Sequence, residues 1–552
     1  MTLVRGKANS ACGVISFSVF LILVGAVLSS YAAAQATVST YHNDKERTGQ
    51  NLLETILTPS NVNSTQFGKL FSQPVDGYMY AQPLYVPNVS IGGVTHNVVY
   101  VATMNDSIYA FDADSNSGSD ANPLWKTSFL GAGITPVPAS AVDCSDLLTS
   151  QIGVVGTPVI DISNKTLYVV ARTEQSGQYY QKLHALDLTT GAEKFGGPVT
   201  IAATVSGTGK GSVGGTIAFD PLIQNQRSAL LLQDGQVYIS WGSHCDENSY
   251  HGWLMAYSVN TLKQTAVWIT TPNGDEGSIW NAGSGPAGDT SNNTFIATAN
   301  GTFDANTSGS DYAQSILELG PPAKGTFTVS DYFTPYNGPN LDVGDYDIGS
   351  GGLLLLPEQT KGPYTHLLVQ SNKSGDIYLV NRDNMGGYNS ANNDQIVQYL
   401  PAADTGMWNS PAWWNENIYF GGSGDKIKAF SFNITTGLMS TTPTSETTQT
   451  FAYPGTTPSI SSNQTKDGIL WALDNGTYKK TSGAVLYAYD PSNLATEYYN
   501  SSQNSTRDNP GPAVKFQVPT IANGKVYVGT QTQLSVYGLL STPSAQLTTN
   551  SK

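Results

Sequence analysis

The feature that most constrains the fold is a unit of about 60 residues that recurs eight times between Gly77 and Leu540. Each unit contains two neighbouring runs of β-branched and aromatic residues bounded by Gly, Asn, Asp or Ser, which is the composition of short β-strands. The paired runs lie at 98–102 and 107–112, 166–170 and 182–187, 236–240 and 252–257, 293–297 and 314–319, 366–370 and 376–381, 417–421 and 426–430, 468–472 and 484–490, and 525–529 and 533–537. A repeat of this length predicts a β-propeller or a solenoid.

The two ends of the repeat region favour the propeller. The eighth unit lacks a fourth strand, because only the polar residues 541–552 follow it, whereas the run KLFSQPV at 69–75 is a spare strand ahead of the first unit. Pairing that run with 533–540 would close a ring and remove both free sheet edges, whereas an open solenoid leaves the spare strand unexplained. We therefore expect an all-β fold, a closed eight-bladed β-propeller of four-stranded antiparallel blades whose last blade is completed by the N-terminal strand.

Composition excludes several classes of function. The chain has 26 Lys and Arg against 41 Asp and Glu, a net charge of −15. An acidic chain with so few cations is a poor ligand for a phosphate backbone, so we expect no nucleic-acid partner. Charged residues make up only 12% of the chain, which disfavours coiled coils and helical bundles.

The N-terminus has the order of a secretory signal. Arg5 and Lys7 precede an apolar run at 14–28, and the small-residue sequence AAAQA follows at 32–36. This pattern predicts a cleaved signal peptide over 1–36, with an uncleaved membrane anchor as the alternative. The remaining chain then consists of one propeller over 37–540 and a polar tail over 541–552. We expect a secreted or periplasmic protein with no stable membrane insertion after cleavage.

Two cysteines, Cys144 and Cys245, remain after that cleavage. In an oxidising compartment a single pair predicts one disulfide, and two buried free thiols are the alternative. The sequence contains no C-x-x-C pair, so it indicates neither a zinc ribbon nor a covalently attached haem.

The repeat resembles the pyrroloquinoline-quinone (PQQ) repeat of the quinoprotein alcohol dehydrogenases. The closest units are LHALDLTTG at 183–191 and SIYAFD at 107–112, which leads to Trp125, and the segment YHNDKERTG at 41–49 is similar to the start of such propellers. The resemblance covers essentially the whole chain after the signal. It implies a propeller with PQQ and Ca²⁺ as cofactors, although non-catalytic scaffold propellers share the same repeat.

The resemblance also implies a set of calcium ligands. In that family a Glu, an Asn and an Asp hold the ion beside PQQ, and the matching positions here are Glu247, Asn300 and Asp345. Asp342 and Asp347 are rivals of Asp345, because all three lie in one short segment. Carboxylate and amide oxygens are the ligands that Ca²⁺ prefers.

Further positions would contact the quinone itself. Lys373 precedes the sequence SGDIY, as the family's quinone-binding cation does, and Trp280 is placed to form the aromatic floor beneath the ring. Cys144 lies in the segment 143–146, roughly where the family has an adjacent cysteine pair that covers one face of PQQ; this chain lacks that pair. Asp345 would accept the substrate's hydroxyl proton, and Lys373 would stabilise the negative charge of the reduced quinone.

The resulting hypothesis is a quinoprotein oxidoreductase that oxidises a small-molecule alcohol or a sugar hydroxyl. The alternative is a non-catalytic extracytoplasmic propeller that binds a protein or glycan, in which the same polar residues only line a water-filled channel. Two narrower alternatives remain: structural calcium bound at 342–347 without a quinone, and a metal or proton-transfer site formed by the segment from His244 to His251.

Overall fold

The computed structural model describes residue 2, residues 35–142, residue 144, and residues 149–480 and 482–541. The chain divides at residue 34, and all elements below belong to the unit Gln35–Lys552. The predicted signal segment and most of the polar tail lie outside the described residues. Strands account for 42% of the described residues and helices for 6%, which confirms the all-β class.

Eight four-stranded antiparallel sheets follow one another along the chain and are numbered here as blades 1 to 8. The first four blades comprise Leu84–Ile91, Val94–Thr103, Ser107–Asp112 and Trp125–Ser128; Val159–Asp161, Thr166–Gln175, Gln178–Asp187 and Val199–Thr200; Leu231–Gln233, Gln236–Trp241, Trp253–Ser258 and Gln264–Ile269; and Ala287–Gly288, Thr294–Ala297, Ile316–Leu319 and Val329–Thr334.

The last four blades follow the same pattern. They comprise Leu354–Leu355, Leu367–Ser371, Ile377–Asn381 and Gln398–Leu400; Ala412–Trp414, Asn417–Gly421, Asp425–Asn433 and Ser445–Phe451; Ser459–Asn463, Lys466–Asp474, Val485–Tyr489 and Glu497–Asn500; and Thr520–Ala522, Lys525–Gly529, Gln533–Leu539 and the N-terminal strand Phe67–Pro74.

The ring closes as the sequence predicts. Phe67–Pro74 pairs antiparallel with Gln533–Leu539, with Phe67 opposite Leu539 and Pro74 opposite Gln533. The first strands of blades 7 and 8, and of blades 8 and 1, contact each other. These contacts place the first strands around a common axis, so the closed eight-bladed propeller is confirmed.

The core lies between neighbouring blades. Separate clusters of buried side chains fill the interfaces between blades 2 and 3, 3 and 4, 4 and 5, 5 and 6, 6 and 7, and 7 and 8, and another joins blades 8, 1 and 2. Because each blade buries both faces against a neighbour, its central strands are apolar throughout, for example Leu167–Ala171 in blade 2.

The remaining elements are short. Paired segments outside the blades are Gln50–Asn51, Ile134–Pro138, Gln151–Ile152, Thr204–Ser206, Thr216–Ala218, Gly387–Tyr388 and Leu438–Met439. The α-helices are Gly338–Val343 and Ser505–Asp508, and the 3-10 turns are Gly118–Ala121, Ala139–Ala141, Asn281–Gly283, Ala305–Thr307, Ile348–Ser350 and Ser501–Asn504. Among the described residues, no helix has the length and hydropathy needed to cross a bilayer.

Residues 36–54 form a segment, here called the strap, that hydrogen-bonds to the inner strand, or the residue beside it, in every blade. Its partners in blades 1 to 8 are Tyr85, Ile160, Leu230, Gly288, Leu355, Trp413, Ile460 and Ile521. The amides of Gly288, Leu355, Trp413 and Ile460 donate to carbonyls of the strap. The strap therefore satisfies edge groups of the inner strands that no neighbouring strand pairs.

Candidate functional site

A cavity of about 410 Å³ lies on the propeller axis. In each of the eight blades, a residue a few positions ahead of the inner strand lines this cavity, and in order these are Tyr80, Val155, Arg227, Trp280, Asp345, Trp408, Tyr453 and Phe516. These residues lie four to nine positions ahead of their inner strands, and only a region around the axis is close to the corresponding connection of every blade. Loops from sequence-distant blades therefore meet in one concave site, which is where ligands of such folds bind.

Trp280 contributes a large aromatic surface to the cavity. Gly242 lies against the indole so closely that a Cβ atom built there would be 1.8 Å from Trp280 Nε1. A side chain at position 242 would therefore displace the ring. Trp280 Nε1 is buried and has no hydrogen-bond partner among the described residues.

The disulfide between Cys144 and Cys245 lines the same cavity as Trp280. It joins residues 101 positions apart, with their Cα atoms 5.5 Å from each other, and confirms the predicted pairing. Cys144 therefore lines the cavity, but it is bonded to a cysteine that is remote in the sequence and not to an adjacent one.

Lys373 is the centre of the charged part of the site. Its Nζ lies 2.6 Å from Asp345 Oδ1 and 2.6 Å from Asp347 Oδ2, and 5.6 Å from the centre of the Trp280 ring. Burial lowers the pKa of Lys373, but the two carboxylates outweigh it and the net pKa is raised. The ammonium group is therefore held protonated in the cavity.

The three rival aspartates differ in position. Asp345 lines the cavity and is exposed, whereas neither Asp342 nor Asp347 lines it. Asp347 is buried beneath Lys373, and this burial raises its pKa to about 6. Asp342 accepts a hydrogen bond of 2.6 Å from the backbone nitrogen of Gly301.

Asn300 contacts the same group. Its Nδ2 donates to Asp345 Oδ1 at 2.9 Å, its backbone nitrogen donates to Asp347 Oδ1 at 3.3 Å, and its Oδ1 accepts from Gln314 Nε2 at 2.8 Å. Asn300, Asp345 and Lys373, which come from the loops of blades 4 and 5, are therefore brought together.

Glu247 is not brought to this group. It is exposed and does not line the cavity, whereas its neighbour Asp246 does. Asp246 Oδ1 accepts hydrogen bonds from Ser243 Oγ at 2.8 Å and from the Tyr250 hydroxyl at 2.6 Å. Cys245 and Asp246 both have positive φ, 52° and 55°. This left-handed turn directs the carboxylate of Asp246 to the site, an outcome that sequence spacing does not specify.

Sequence reasoning missed several cavity residues, among them Arg227, Trp408, Tyr453, Lys515 and Phe516. A common signal was available, because the lining residues recur just ahead of the inner strand of each blade. Among the described residues, one group of three His, Cys, Asp or Glu side chains brings its ligand atoms within 4.8 Å of one another: His96, Asp112 and Asp120. That group does not line the cavity.

No protein-family model and no curated protein sequence matches this chain. Its fold matches solved structures of quinoproteins. The quinohemoprotein alcohol dehydrogenase ADHIIG of Pseudomonas putida HK5 aligns with a TM-score of 0.56 and 14% identity, over 91% of this chain and 80% of that one. The quinohemoprotein alcohol dehydrogenase of Comamonas testosteroni aligns with a TM-score of 0.56 and 14% identity, over 92% and 81%.

A europium-containing methanol dehydrogenase aligns with a TM-score of 0.55 and 13% identity, over 91% of this chain and 98% of that one. Identities this low establish a shared fold and leave the activity to be argued from the site. The resemblance that the repeat indicated is thus confirmed at the level of architecture: the chain is an eight-bladed β-propeller whose fold is similar to those of quinohemoprotein alcohol dehydrogenases and a methanol dehydrogenase.

Proposed function

We propose that the protein is a quinoprotein oxidoreductase that oxidises an alcohol or a sugar hydroxyl, with PQQ and a metal ion in the axial cavity. One observation carries the proposal: the Lys373–Asp345 ion pair lies in a cavity that Trp280 and a disulfide also line. An aromatic surface, a buried cation and an adjacent carboxylate are the groups that hydride removal from an alcohol requires around a quinone.

The residues present fit the cofactor's chemistry. PQQ is a flat, anionic ring system, and Trp280 supplies an aromatic surface for it while Lys373 supplies positive charge. The Nε1–H of Trp280 adds a donor that makes no competing hydrogen bond to the described residues. Trp280, Lys373 and Cys144 would therefore hold the quinone, which when bound would supply the acceptor for the substrate's hydride.

Asp345 would remove the proton of the substrate hydroxyl. It is the exposed member of the carboxylate pair on Lys373, and Asn300 donates to the same oxygen that Lys373 contacts. These two donors orient the Asp345 carboxylate. With a quinone bound, Lys373 would also stabilise the negative charge that the quinone gains with the hydride.

The metal would bind among oxygen atoms of Asn300, Asp345 and Asp246. Amide and carboxylate oxygens match the preference of Ca²⁺, and of other hard cations. Asp246 replaces Glu247 in this proposal, because only Asp246 of the two lines the cavity. The europium named for one structural neighbour makes Eu³⁺ a second ion to test.

We also propose that the protein is exported to the periplasm or medium, with residues 1–36 removed and a small alcohol or sugar as its partner. The Cys144–Cys245 disulfide supports this proposal, because disulfides persist in oxidising compartments. N-terminal sequencing of protein recovered from the medium or periplasm tests it. A chain that keeps residues 1–34 there would contradict the cleavage.

The test of the activity begins with binding. Purified protein is titrated with PQQ in the presence of Ca²⁺ or Eu³⁺, and quenching of tryptophan emission and the shift of Tm are followed. We expect saturable quenching and a Tm increase that needs both PQQ and metal. Dye reduction is then measured with a panel of primary alcohols and aldoses.

Asp345→Asn is the matched catalytic variant. We expect kcat to fall by about 10²–10⁴, because the proton acceptor is lost, while PQQ affinity changes by only a few-fold. The exposed Asp394→Asn serves as the control and should match the wild type. Absence of PQQ binding and of turnover would overturn the proposal and leave a non-catalytic propeller that binds protein or glycan.

A further inference from the structure

His244 is a cavity residue that the proposed function does not use. It lines the axial cavity beside Cys245, and only 4% of it is exposed. Its Nδ1 is buried and has no hydrogen-bond partner among the described residues. Trp280 lines the same cavity, and its Nε1 is also buried without a hydrogen-bond partner among the described residues.

The other ring nitrogen of His244 is occupied. Arg172 Nη1 lies 2.7 Å from His244 Nε2. A guanidinium group has only donors, so Nε2 must be the acceptor of this bond and carries no proton. The proton of the neutral ring is therefore on Nδ1, which makes Nδ1–H a donor.

Arg172 is itself held in place. It is almost completely buried, and its Nη2 donates to the carbonyl oxygen of Leu222 at 2.8 Å. Its backbone nitrogen donates to Oδ1 of the buried Asp106 at 3.4 Å. The contact to His244 thus comes from a fixed side chain, which also fixes the orientation of the imidazole ring.

A buried N–H without a partner costs about 1–3 kcal/mol. Such a group is rare in folded proteins and calls for a specific explanation, and a cavity for a ligand supplies one. His244 and Trp280 line the same cavity, and each carries one such donor that lacks an acceptor among the described residues. Their shared chemistry indicates a ligand that presents acceptor oxygens.

We propose that His244 is a ligand-binding residue whose Nδ1–H donates a hydrogen bond to an acceptor oxygen of the molecule in the axial cavity, and that Arg172 is the positioning residue that sets this tautomer. The acceptor is a carbonyl, carboxylate or hydroxyl oxygen. A ligand group with donors only would point its own hydrogen at the Nδ1 proton and could form no hydrogen bond with it. Whether that oxygen belongs to the quinone or to the substrate rests on the proposed function, whereas the tautomer does not.

The binding test uses His244→Gln. The glutamine side chain places an oxygen near the position of Nε2, so it retains an acceptor for Arg172 and removes the donor at Nδ1. The matched control is His251→Gln, because His251 is also buried but bonds through both nitrogens, to Thr271 Oγ1 at 2.8 Å and to the Lys210 carbonyl at 2.9 Å, and does not line the cavity.

If the acceptor is on the quinone, we expect H244Q to bind PQQ about tenfold more weakly than either the wild type or H251Q does. Tryptophan quenching measures this affinity. If the acceptor is on the substrate, PQQ affinity stays the same and KM for the alcohol rises or kcat falls by about tenfold. Either result supports the proposal. PQQ affinity, KM and kcat that all remain within twofold of wild type would overturn it.

The tautomer is tested without any ligand. Long-range ¹H–¹⁵N spectra of protein labelled at its histidines should show, near neutral pH, an Nδ1-protonated ring whose signals are absent from H244Q. That loss distinguishes it from His96, His184 and His366, whose Nδ1 atoms contact carboxylate oxygens. Arg172→Met should shift this ring toward the Nε2-protonated form, which is more common when no donor holds Nε2. An Nε2-protonated His244 in the wild type would overturn the proposal. Wild type that shows the Nδ1 tautomer but binds no PQQ would refute the proposed function while supporting the donor assignment.

Discussion

At the residue scale, buried carboxyl groups differ in how their charge is balanced. Asp404, in the connection between blades 5 and 6, is buried with Oδ1 3.3 Å from Lys428 Nζ. Its Oδ2 has no hydrogen-bond partner among the described residues. Burial outweighs the attraction of Lys428 and raises the pKa of Asp404 to about 6.

This pKa predicts how stability depends on pH. The pKa of Asp404 in the folded state lies above its unfolded value of about 4. The protonated side chain therefore contributes fully to the free energy of unfolding below about pH 4, and this contribution is lost as pH rises through about 6. Asp404→Asn removes that loss. Relative to wild type, we expect the variant's free energy of unfolding to gain about 3 kcal/mol between pH 4 and pH 7, measured by urea unfolding. Asp394→Asn is the exposed control, and parallel profiles for D404N and wild type would contradict the assignment.

At the scale of elements, the strap depends on one side chain. Arg47 is completely buried and donates five hydrogen bonds: two to the Pro286 carbonyl, and one each to the carbonyls of Leu230 and Tyr41 and to Thr40 Oγ1. Burial lowers its pKa to about 10, so it remains charged at neutral pH. Arg47 thereby links the strap to blades 3 and 4.

We predict that Arg47→Lys destabilises the protein by about 3 kcal/mol. A single ammonium group cannot reproduce the spread of the guanidinium donors, so buried carbonyls lose their partners. Urea unfolding measures the loss, and hydrogen exchange should quicken at the amides of Trp413 and Ile460, which donate to the strap. The exposed Lys324→Arg should leave both unchanged. Unaltered exchange in R47K would show that the strap does not need this side chain.

At the scale of the whole molecule, stability depends on ring closure. Gln533–Leu539 is the only link between the N-terminal strand Phe67–Pro74 and the rest of the blade 8 sheet in the described part of the chain. Leu540 also donates its backbone N–H to the Gln66 carbonyl at 2.7 Å. The two ends of the chain are therefore joined at one blade.

We predict that a chain ending at residue 532 does not form a stable propeller. It loses the third strand of blade 8 and exposes the faces of blades 1 and 7 that pack against this blade, together with free strand edges. A chain ending at residue 541 retains all strands and should keep the wild-type Tm. Calorimetry and size-exclusion chromatography compare the two. A folded monomer with wild-type Tm from the shorter chain would contradict the requirement for closure.

Some of the site was predictable and some was not, for physical reasons. Asn300 and Lys373 lie in short turns directly after the strands Thr294–Ala297 and Leu367–Ser371, so their position along the repeat indicates where they meet. Asp345 lies in the longer connection after the helix Gly338–Val343, and the sequence left it with two rivals. Asp246 was missed because two left-handed residues turn the loop that carries it. Arg172 and His244 are 72 residues apart, and nothing in the spacing of either residue indicates their contact.

The sequence by itself determined the blades, their number and the closure of the ring, because short apolar runs and turn residues act locally and repeat with a constant period. It also indicated the disulfide, since the two cysteines beyond the predicted signal segment allow one pairing. Only the tertiary structure decided which carboxylate reaches the cavity, how the strap caps the inner strands of all eight blades, and which nitrogen of His244 carries the proton. Those features depend on contacts between remote residues whose geometry arises when the ring closes.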